Sequence, residues 1–143
     1  GRRTVAASEF FVDFLTTALA PDEVLVSVRV PKRPGWTTHY EKFVRVAQAW
    51  AIVGVAAAVR RENGSIAEAR VSLSNMGSTP LRAAAVEDAL AGTPATVDAV
   101  ASAAGRAAEG TDPPTDVFAS ADYRRHLVTV LTKRAVLAAG GIT

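Results

Sequence analysis

The chain holds few side chains whose types and spacing suit catalysis. Its two histidines, His39 and His126, each have one carboxylate close in sequence, Glu41 and Asp122, whereas a metal site needs three or four ligands. Gly-x-Ser-x-Gly, Walker and Gly-x-Gly-x-x-Gly motifs are all missing, so neither a nucleophile elbow nor a phosphate-binding loop is indicated. We therefore predict no catalytic residue and no metal site in this chain.

Paired carboxylates are no better candidates for acid–base chemistry. Glu87 and Asp88 are adjacent on a predicted helix, so their side chains point in different directions. Asp112 and Asp116 flank a double proline, where turn and capping roles are the commoner ones. The chain acting alone is not expected to be catalytic.

Residues 36–51 concentrate the side chains that could bind a flat, charged ligand. The segment contains Trp36, Tyr40, Lys42, Arg45, Gln48 and Trp50. Aromatic rings and cations together can hold a planar, electron-poor ring and its phosphates. Composition alone favours a simpler alternative, in which both tryptophans are core residues and the other side chains form an ordinary polar face.

Composition predicts one packed, soluble domain. Of the 143 residues, 49% are hydrophobic and 21% are charged, and no apolar run approaches the ~18 residues of a membrane span. The absence of cysteine agrees with a cytoplasmic protein and excludes thiol chemistry. The net charge of +2 is spread along the chain, which disfavours nucleic-acid binding.

The middle of the chain alternates in the manner of β-strands. Strands are predicted over Val24–Val30, Thr38–Val46, Trp50–Arg61 and Ile66–Ser74. The third run is apolar on both faces and should be covered on both, or else form a buried helix. Gly54 and the hairpin turn signal Asn63–Gly64 favour the strand.

The alanine-rich C-terminal half of the chain is predicted to form helices. The first is predicted from Pro80 to Leu90 with Thr79 as its cap, and the second from Val97 to Glu109 with Thr96 as its cap. Ser120 caps a third, whose apolar stripe contains Tyr123, Leu127, Val130, Leu131 and Leu137. The predicted fold is α+β, an antiparallel three- to four-stranded β-meander followed by a three-helix layer.

The first twenty residues read as a boundary segment. Apolar residues at helical spacing predict a helix over Ser8–Leu19, which includes Phe10, Phe11 and Phe14. These rings either fold back onto the sheet or mark a surface that another domain covers, and we favour the second interpretation. Residues 1–20 are thus predicted to be a junction and residues 21–143 the domain proper.

Three stretches resemble a known family. They are Tyr40-Glu-Lys-Phe-Val-Arg with Gln48-Ala-Trp-Ala, Asn75-Met-Gly-Ser-Thr-Pro-Leu-Arg-Ala83, and Tyr123-Arg-Arg-His-Leu127. Together they are similar to the C-terminal domain of the FAD-binding medium subunit of molybdenum hydroxylases of the carbon monoxide dehydrogenase and xanthine dehydrogenase type. The likeness covers nearly the whole chain.

The resemblance implies a part in an oxidoreductase. In that family the medium subunit carries FAD between an iron–sulfur small subunit and a molybdenum large subunit, and electrons reach the flavin through iron–sulfur clusters. The resemblance implies that the domain covers the isoalloxazine side of FAD and helps to dock the partner subunits, with Tyr40 as the aromatic residue nearest the ring and Lys42 as a polar contact. The phosphate-binding loops belong to an N-terminal FAD-binding domain that is missing here, so this fragment alone is not expected to bind FAD.

One position departs from the family pattern. Relatives often have an aspartate where this chain has Ala49, and a carboxylate near a flavin would alter its electrostatics.

A second hypothesis assigns the chain to another functional class. In that hypothesis the chain is an autonomous protein-interaction module without flavin.

Overall fold

The structure is a computed structural model that describes all residues, Gly1–Thr143, and it divides into two compact units, Gly1–Pro34 and Gly35–Thr143. The first unit contains a one-turn helix α1 (Ala7–Phe10) and an antiparallel ribbon of β1 (Phe11–Asp13) and β2 (Thr16–Thr17). None of its residues is buried.

Two predictions for this first unit are wrong. The helix over Ser8–Leu19 ends at Phe10, because the chain turns back at Phe14–Leu15 to pair β1 with β2. The strand over Val24–Val30 is not formed, and its residues have no ladder partner. Alternation gives a segment the shape of a strand, but a strand also needs a neighbour for its backbone hydrogen bonds.

An ion pair between Arg3 and Glu23 joins distant residues of this first unit. Arg3 Nε lies 2.6 Å from Glu23 Oε1, and Glu23 Oε2 also accepts from the backbone N–H of Ala20 at 2.8 Å. The hydrogen bond from Arg3 is the main reason that the pKa of the Glu23 carboxyl is lowered to about 2.

The second unit is built on a four-stranded antiparallel meander. Its strands, in spatial and chain order, are β3 (Trp36–Phe43), β4 (Val53–Glu62), β5 (Ser65–Ser74) and β6 (Leu81–Arg82). Asn63 and Gly64 both adopt positive φ, 49° and 79°, between β4 and β5, which confirms the predicted hairpin turn. The α+β meander is therefore confirmed.

Three helices follow the sheet: α2 (Ala84–Leu90), α3 (Val97–Ala104) and α4 (Ala121–Gly140). The caps at Thr96 and Ser120 are confirmed, since their hydroxyls accept from the N–H of Ala99 at 3.3 Å and of Tyr123 at 3.2 Å. The start at Thr79–Pro80 is wrong because the next residues pair with β5 as strand β6. The predicted end of the second helix at Glu109 is also wrong, because α3 ends at Ala104.

The sheet has an inner and an outer face. On β4, Val53, Val55, Ala57 and Val59 are buried on the inner face, against which α4 packs, whereas Ala56 is exposed on the outer face. The prediction that both faces of this strand are covered is thus wrong for the outer face in this chain. The helices cover one side of the sheet and leave the other open.

Helix α4 buries a stripe that differs in part from the predicted one. Leu127 and Leu131 are buried as expected, but Tyr123 is 45% exposed. Val128, Ala135 and Val136 complete the stripe. Helix α4 also buries Arg124, a charged residue that is 1% exposed.

Candidate functional site

Strand β3 places the two predicted ligand-contacting residues together on the outer face. Tyr40 lies opposite Ala56 and Lys42 lies opposite Gly54 in the β3–β4 register. Because side chains alternate along a strand, residues 40 and 42 share one face and His39 and Glu41 share the other. Both Tyr40 and Lys42 are exposed, Tyr40 by 53%.

Gly54 makes the room that the Tyr40 side chain uses. A Cβ atom at position 54 would lie 2.6 Å from the Tyr40 hydroxyl oxygen and 2.5 Å from Ser74 Oγ. Any other residue there would therefore displace the tyrosine ring or the serine. This role of Gly54 was missed at the level of sequence, where the residue only disfavours a helix, although a glycine within a strand is itself a signal of close approach.

The outer face forms a shallow, open depression of about 460 Å³. Its lining comes from Thr38, His39, Tyr40, Ala56, Ala57, Ala58, Arg70 and Ser72. Small side chains on β4 keep the floor flat, with an aromatic ring on one side and hydroxyl and guanidinium groups on the other. A surface of this kind suits one side of a planar ligand, whereas enclosed ligand sites bury most of their ligand.

Ion pairs link the charged side chains around β5. Glu68 pairs with Arg70 and lies 3.7 Å from Arg60, and Glu87 lies 2.5 Å from Arg82 and 3.7 Å from Arg70. Glu87 also accepts from the backbone N–H of Val71 at 2.8 Å. Glu68 and Glu87 therefore have arginine partners, and Glu87 has a backbone donor as well.

The loop after β3, residues 44–51, exposes apolar side chains. Trp50 is 77% exposed and Val46 is 65% exposed, so the interpretation of Trp50 as a core residue is wrong. Trp36 is half-buried. At the loop tip Gln48 has a φ of 66°, a left-handed conformation that is unfavourable for a residue with a Cβ atom.

Two side chains support the end of this loop from different parts of the chain. Asn75 Nδ2 donates to the carbonyl oxygens of Ala51 at 3.0 Å and Ile52 at 3.2 Å. Arg124 donates to the same Ile52 carbonyl and, through Nη2, to Asp116 Oδ2 at 2.7 Å. Both residues belong to the motifs that resemble the family, but neither was predicted from the sequence to support the loop.

Asp116 has the turn role that its position beside the prolines predicts. Its Oδ1 accepts from the N–H of Phe118 at 2.9 Å and of Ala119 at 3.1 Å. The hydrogen bond from Phe118 is the largest reason that the pKa of this carboxyl is below its usual value, and Ala119 and Arg124 act in the same direction.

The structure contains neither a cluster of metal-ligating side chains nor a helix that could span a membrane. His39 Nε2 lies 3.0 Å from Glu41 Oε1, and no third ligand joins them, because no group of three or more His, Cys, Asp or Glu side chains is placed to hold a metal ion. None of the helices is both long enough and apolar enough to cross a membrane.

The sequence of the second unit matches a known protein-family model. The profile of the CO dehydrogenase flavoprotein C-terminal domain matches residues 38–139. The chain belongs to this family. The match begins within β3 and ends within α4, so it covers the sheet and all three helices of the second unit, and the resemblance inferred from the sequence is confirmed.

Relatives of this CO dehydrogenase flavoprotein C-terminal domain include two medium chains. The carbon monoxide dehydrogenase medium chain of Hydrogenophaga pseudoflava is 36% identical over 97% of this chain and 49% of its own length. The glyceraldehyde dehydrogenase medium chain of Sulfolobus acidocaldarius is 33% identical over 94% of this chain and 48% of its own. The chain thus spans about half the length of these relatives.

A solved structure agrees with this assignment. Carbon monoxide dehydrogenase from Hydrogenophaga pseudoflava, in a form that lacks the Mo-pyranopterin moiety of its cofactor, superposes with a TM-score of 0.91. The sequence identity is 39%, and the match covers 99% of this chain and 50% of the other. The likeness therefore includes both units of the chain.

Proposed function

We propose that this domain forms one wall of an FAD site in the medium subunit of a molybdenum hydroxylase of the carbon monoxide, xanthine or aldehyde dehydrogenase type. The observation that carries the proposal is the open outer face, where Tyr40 lies over Gly54 and Lys42 stands beside it, in a member of a flavoprotein family. When bound, FAD supplies the site with the capacity to accept electrons and pass them on.

The outer face fits a flavin ring on one side only. The Tyr40 ring offers an apolar, aromatic contact, and the Lys42 ammonium offers a donor to electron-rich ring atoms. The depression is shallow and open, so a second surface has to cover the other side of the ring. Within this account Tyr40 and Lys42 bind and orient the ring and keep water from its covered side.

The phosphates of FAD are proposed to bind outside this chain. A pyrophosphate needs converging backbone N–H groups, such as those of a glycine-rich loop, and the sequence contains no such motif. The relatives are about twice as long as this chain. An N-terminal FAD-binding domain in the other half of the subunit would supply these contacts.

The first unit fits a junction with that domain. Its apolar side chains include exposed members Phe11, Val12, Phe14, Leu15, Val24, Leu25, Val26, Val28 and Val30. Exposed apolar side chains in this number mark a surface that another domain covers. We assign residues 1–20 to the junction and residues 21–143 to the domain proper, and the exposed apolar side chains between residues 24 and 30 extend the proposed contact surface into the start of the domain proper.

The partners and the location follow from the same proposal. An iron–sulfur small subunit would deliver electrons from a molybdenum large subunit, and the complex would be cytoplasmic. The two medium-chain relatives belong to enzymes named for different substrates, carbon monoxide and glyceraldehyde. We therefore place substrate choice outside this domain. Family membership favours the flavoprotein over an autonomous interaction module.

Separating the domain from the rest of its subunit tests the proposal. The full-length medium subunit is expected to retain FAD through gel filtration, whereas residues 1–143 alone should bind it weakly or not at all, because they lack the phosphate contacts. Flavin absorbance and fluorescence quenching measure both. Tight binding by the 143-residue chain would contradict the proposed division of the site.

A further inference from the structure

Arg124 is an unusual residue to find in the core of this domain. It lies in the first turn of α4 and is 1% exposed, yet its Nε atom has no hydrogen-bond partner. A buried guanidinium with an orphan donor stabilises a fold less than a well-packed apolar side chain of similar size would. Packing therefore gives no reason for an arginine at this position.

The side chain of Arg124 donates hydrogen bonds to Ile52 and Asp116, and both bonds connect it to the 44–51 loop. One guanidinium nitrogen donates to the carbonyl of Ile52, the residue that follows the loop, and the N–H of Ile52 donates to the Phe43 carbonyl at 2.8 Å. That second bond closes the neck of the loop. Asn75 holds the same Ile52 carbonyl from the sheet side, so the neck is fixed from two directions.

The other contact reaches the beginning of the loop. Arg124 pairs with Asp116, which accepts from the backbone N–H of Phe118, and the Phe118 ring lies 5.7 Å from the guanidinium carbon of Arg45. Arg45 is the second residue of the loop. Arg124 is thus linked to both ends of the 44–51 loop, directly at one end and through the 116–118 turn at the other.

The loop conformation is one that needs such support. Gln48 holds a positive φ at the loop tip, and strained backbone of this kind persists only where the surroundings fix it. The same loop joins β3, which carries Tyr40 and Lys42, to β4, which carries Gly54. Its order therefore bears directly on the outer-face site.

We propose that Arg124 is a positioning residue of the flavin wall, which holds the 44–51 loop in one conformation and so pre-organises the β3–β4 edge for the ring. The part of this inference that concerns flavin rests on the proposed function above. The part that concerns the loop stands on the contacts of Arg124 alone.

The test uses the full-length medium subunit and four variants. Arg124→Met removes the guanidinium while keeping the volume, and Arg124→Lys restores one charged donor. Asp116→Asn weakens the same link at a partly exposed position, which guards against a variant that does not fold. Arg125→Met is the matched control, because the neighbouring arginine pairs only with Asp122 at 2.9 Å on the surface.

Hydrogen exchange of the apo subunit supplies the readout that a merely structural role would not produce. Amides of residues 44–52 in Arg124→Met are expected to exchange about tenfold faster, with β4 and β5 unchanged. Arg124→Lys and Asp116→Asn should show smaller increases, and Arg125→Met none. FAD affinity should fall in the same order as loop exchange rises.

Three results would overturn the inference. Unchanged exchange in residues 44–52, or uniformly faster exchange over the whole second unit, would reduce Arg124 to an ordinary core residue. Faster loop exchange with unaltered FAD affinity would refute its role in the flavin wall. If the unmodified subunit binds no FAD, the proposed function fails, and the exchange data alone still decide whether Arg124 orders the loop.

Discussion

Replacing Tyr40 by alanine is expected to weaken FAD binding by the full-length subunit about tenfold, since an aromatic contact of this kind contributes about 1–2 kcal/mol. The side chain is half-exposed on the outer face and is not part of the hydrophobic core, so folding should be little affected. Flavin fluorescence titration measures the change. Tyr40→Phe, which keeps the ring, should bind within about twofold of the unmodified subunit.

Gly54→Ala provides a second way to move the same ring. The added methyl group would fall 2.6 Å from the Tyr40 hydroxyl oxygen and 2.5 Å from Ser74 Oγ, which are both the ends of side chains that can rotate away. The tyrosine should therefore swing out while the sheet stays intact. In a double-mutant cycle, adding Gly54→Ala to Tyr40→Ala should weaken FAD binding little further, because both substitutions remove the same contact between the tyrosine ring and the flavin. Full FAD affinity in Tyr40→Ala would refute the placement of the ring.

Leu73→Ala is expected to lower the free energy of unfolding of the 143-residue chain by about 2–4 kcal/mol. Leu73 is 2% exposed on β5 and belongs to the core between sheet and helices. Shortening it leaves a cavity that the surrounding residues fill only in part. Urea denaturation followed by circular dichroism measures the difference.

The neighbouring residue is the matched control for this prediction. Ser72 lies on the other face of the same strand, lines the open depression and pairs with Arg82 across the β5–β6 ladder. Ser72→Ala should change the free energy of unfolding by no more than about 0.5 kcal/mol. Equal effects at 72 and 73 would mean that the inner and outer faces have been assigned wrongly.

The local signals in the sequence predicted the second unit well. The Asn63–Gly64 turn and the caps at Thr96 and Ser120 depend on a few adjacent residues, and each is where the pattern places it. Strands β3 and β5 follow from alternation between such signals, whereas β4 follows from an apolar run that contains Gly54 and is followed by the Asn63–Gly64 turn. Backbone geometry of this kind is decided over short distances, which is why sequence reasoning reaches it.

Failures occurred where the outcome depends on distant partners. Alternation over Val24–Val30 describes a strand, but pairing needs a neighbour that the segment does not have in this chain. The residues before α2 have helical start signals, yet Leu81 and Arg82 pair with β5 instead. Tertiary pairing overrides local preference in such places.

The candidate site was predicted only in part. Tyr40 and Lys42 do share an open face, and their position on one strand follows from the period of two. The supports of the loop, Asn75 and Arg124, come from segments that are far from Ile52 in sequence. No local pattern shows that such residues converge on one carbonyl. Their roles could therefore be assigned only from the tertiary structure.

Protection of Lys42 by bound FAD tests the central claim most directly. Brief acetylation of the full-length subunit, followed by mass spectrometry, compares Lys42 on the outer face with Lys133 on α4 in the presence and absence of FAD. The account predicts that FAD slows modification of Lys42 severalfold and leaves Lys133 unchanged. Equal rates at Lys42 in the FAD-bound and FAD-free subunit would contradict it.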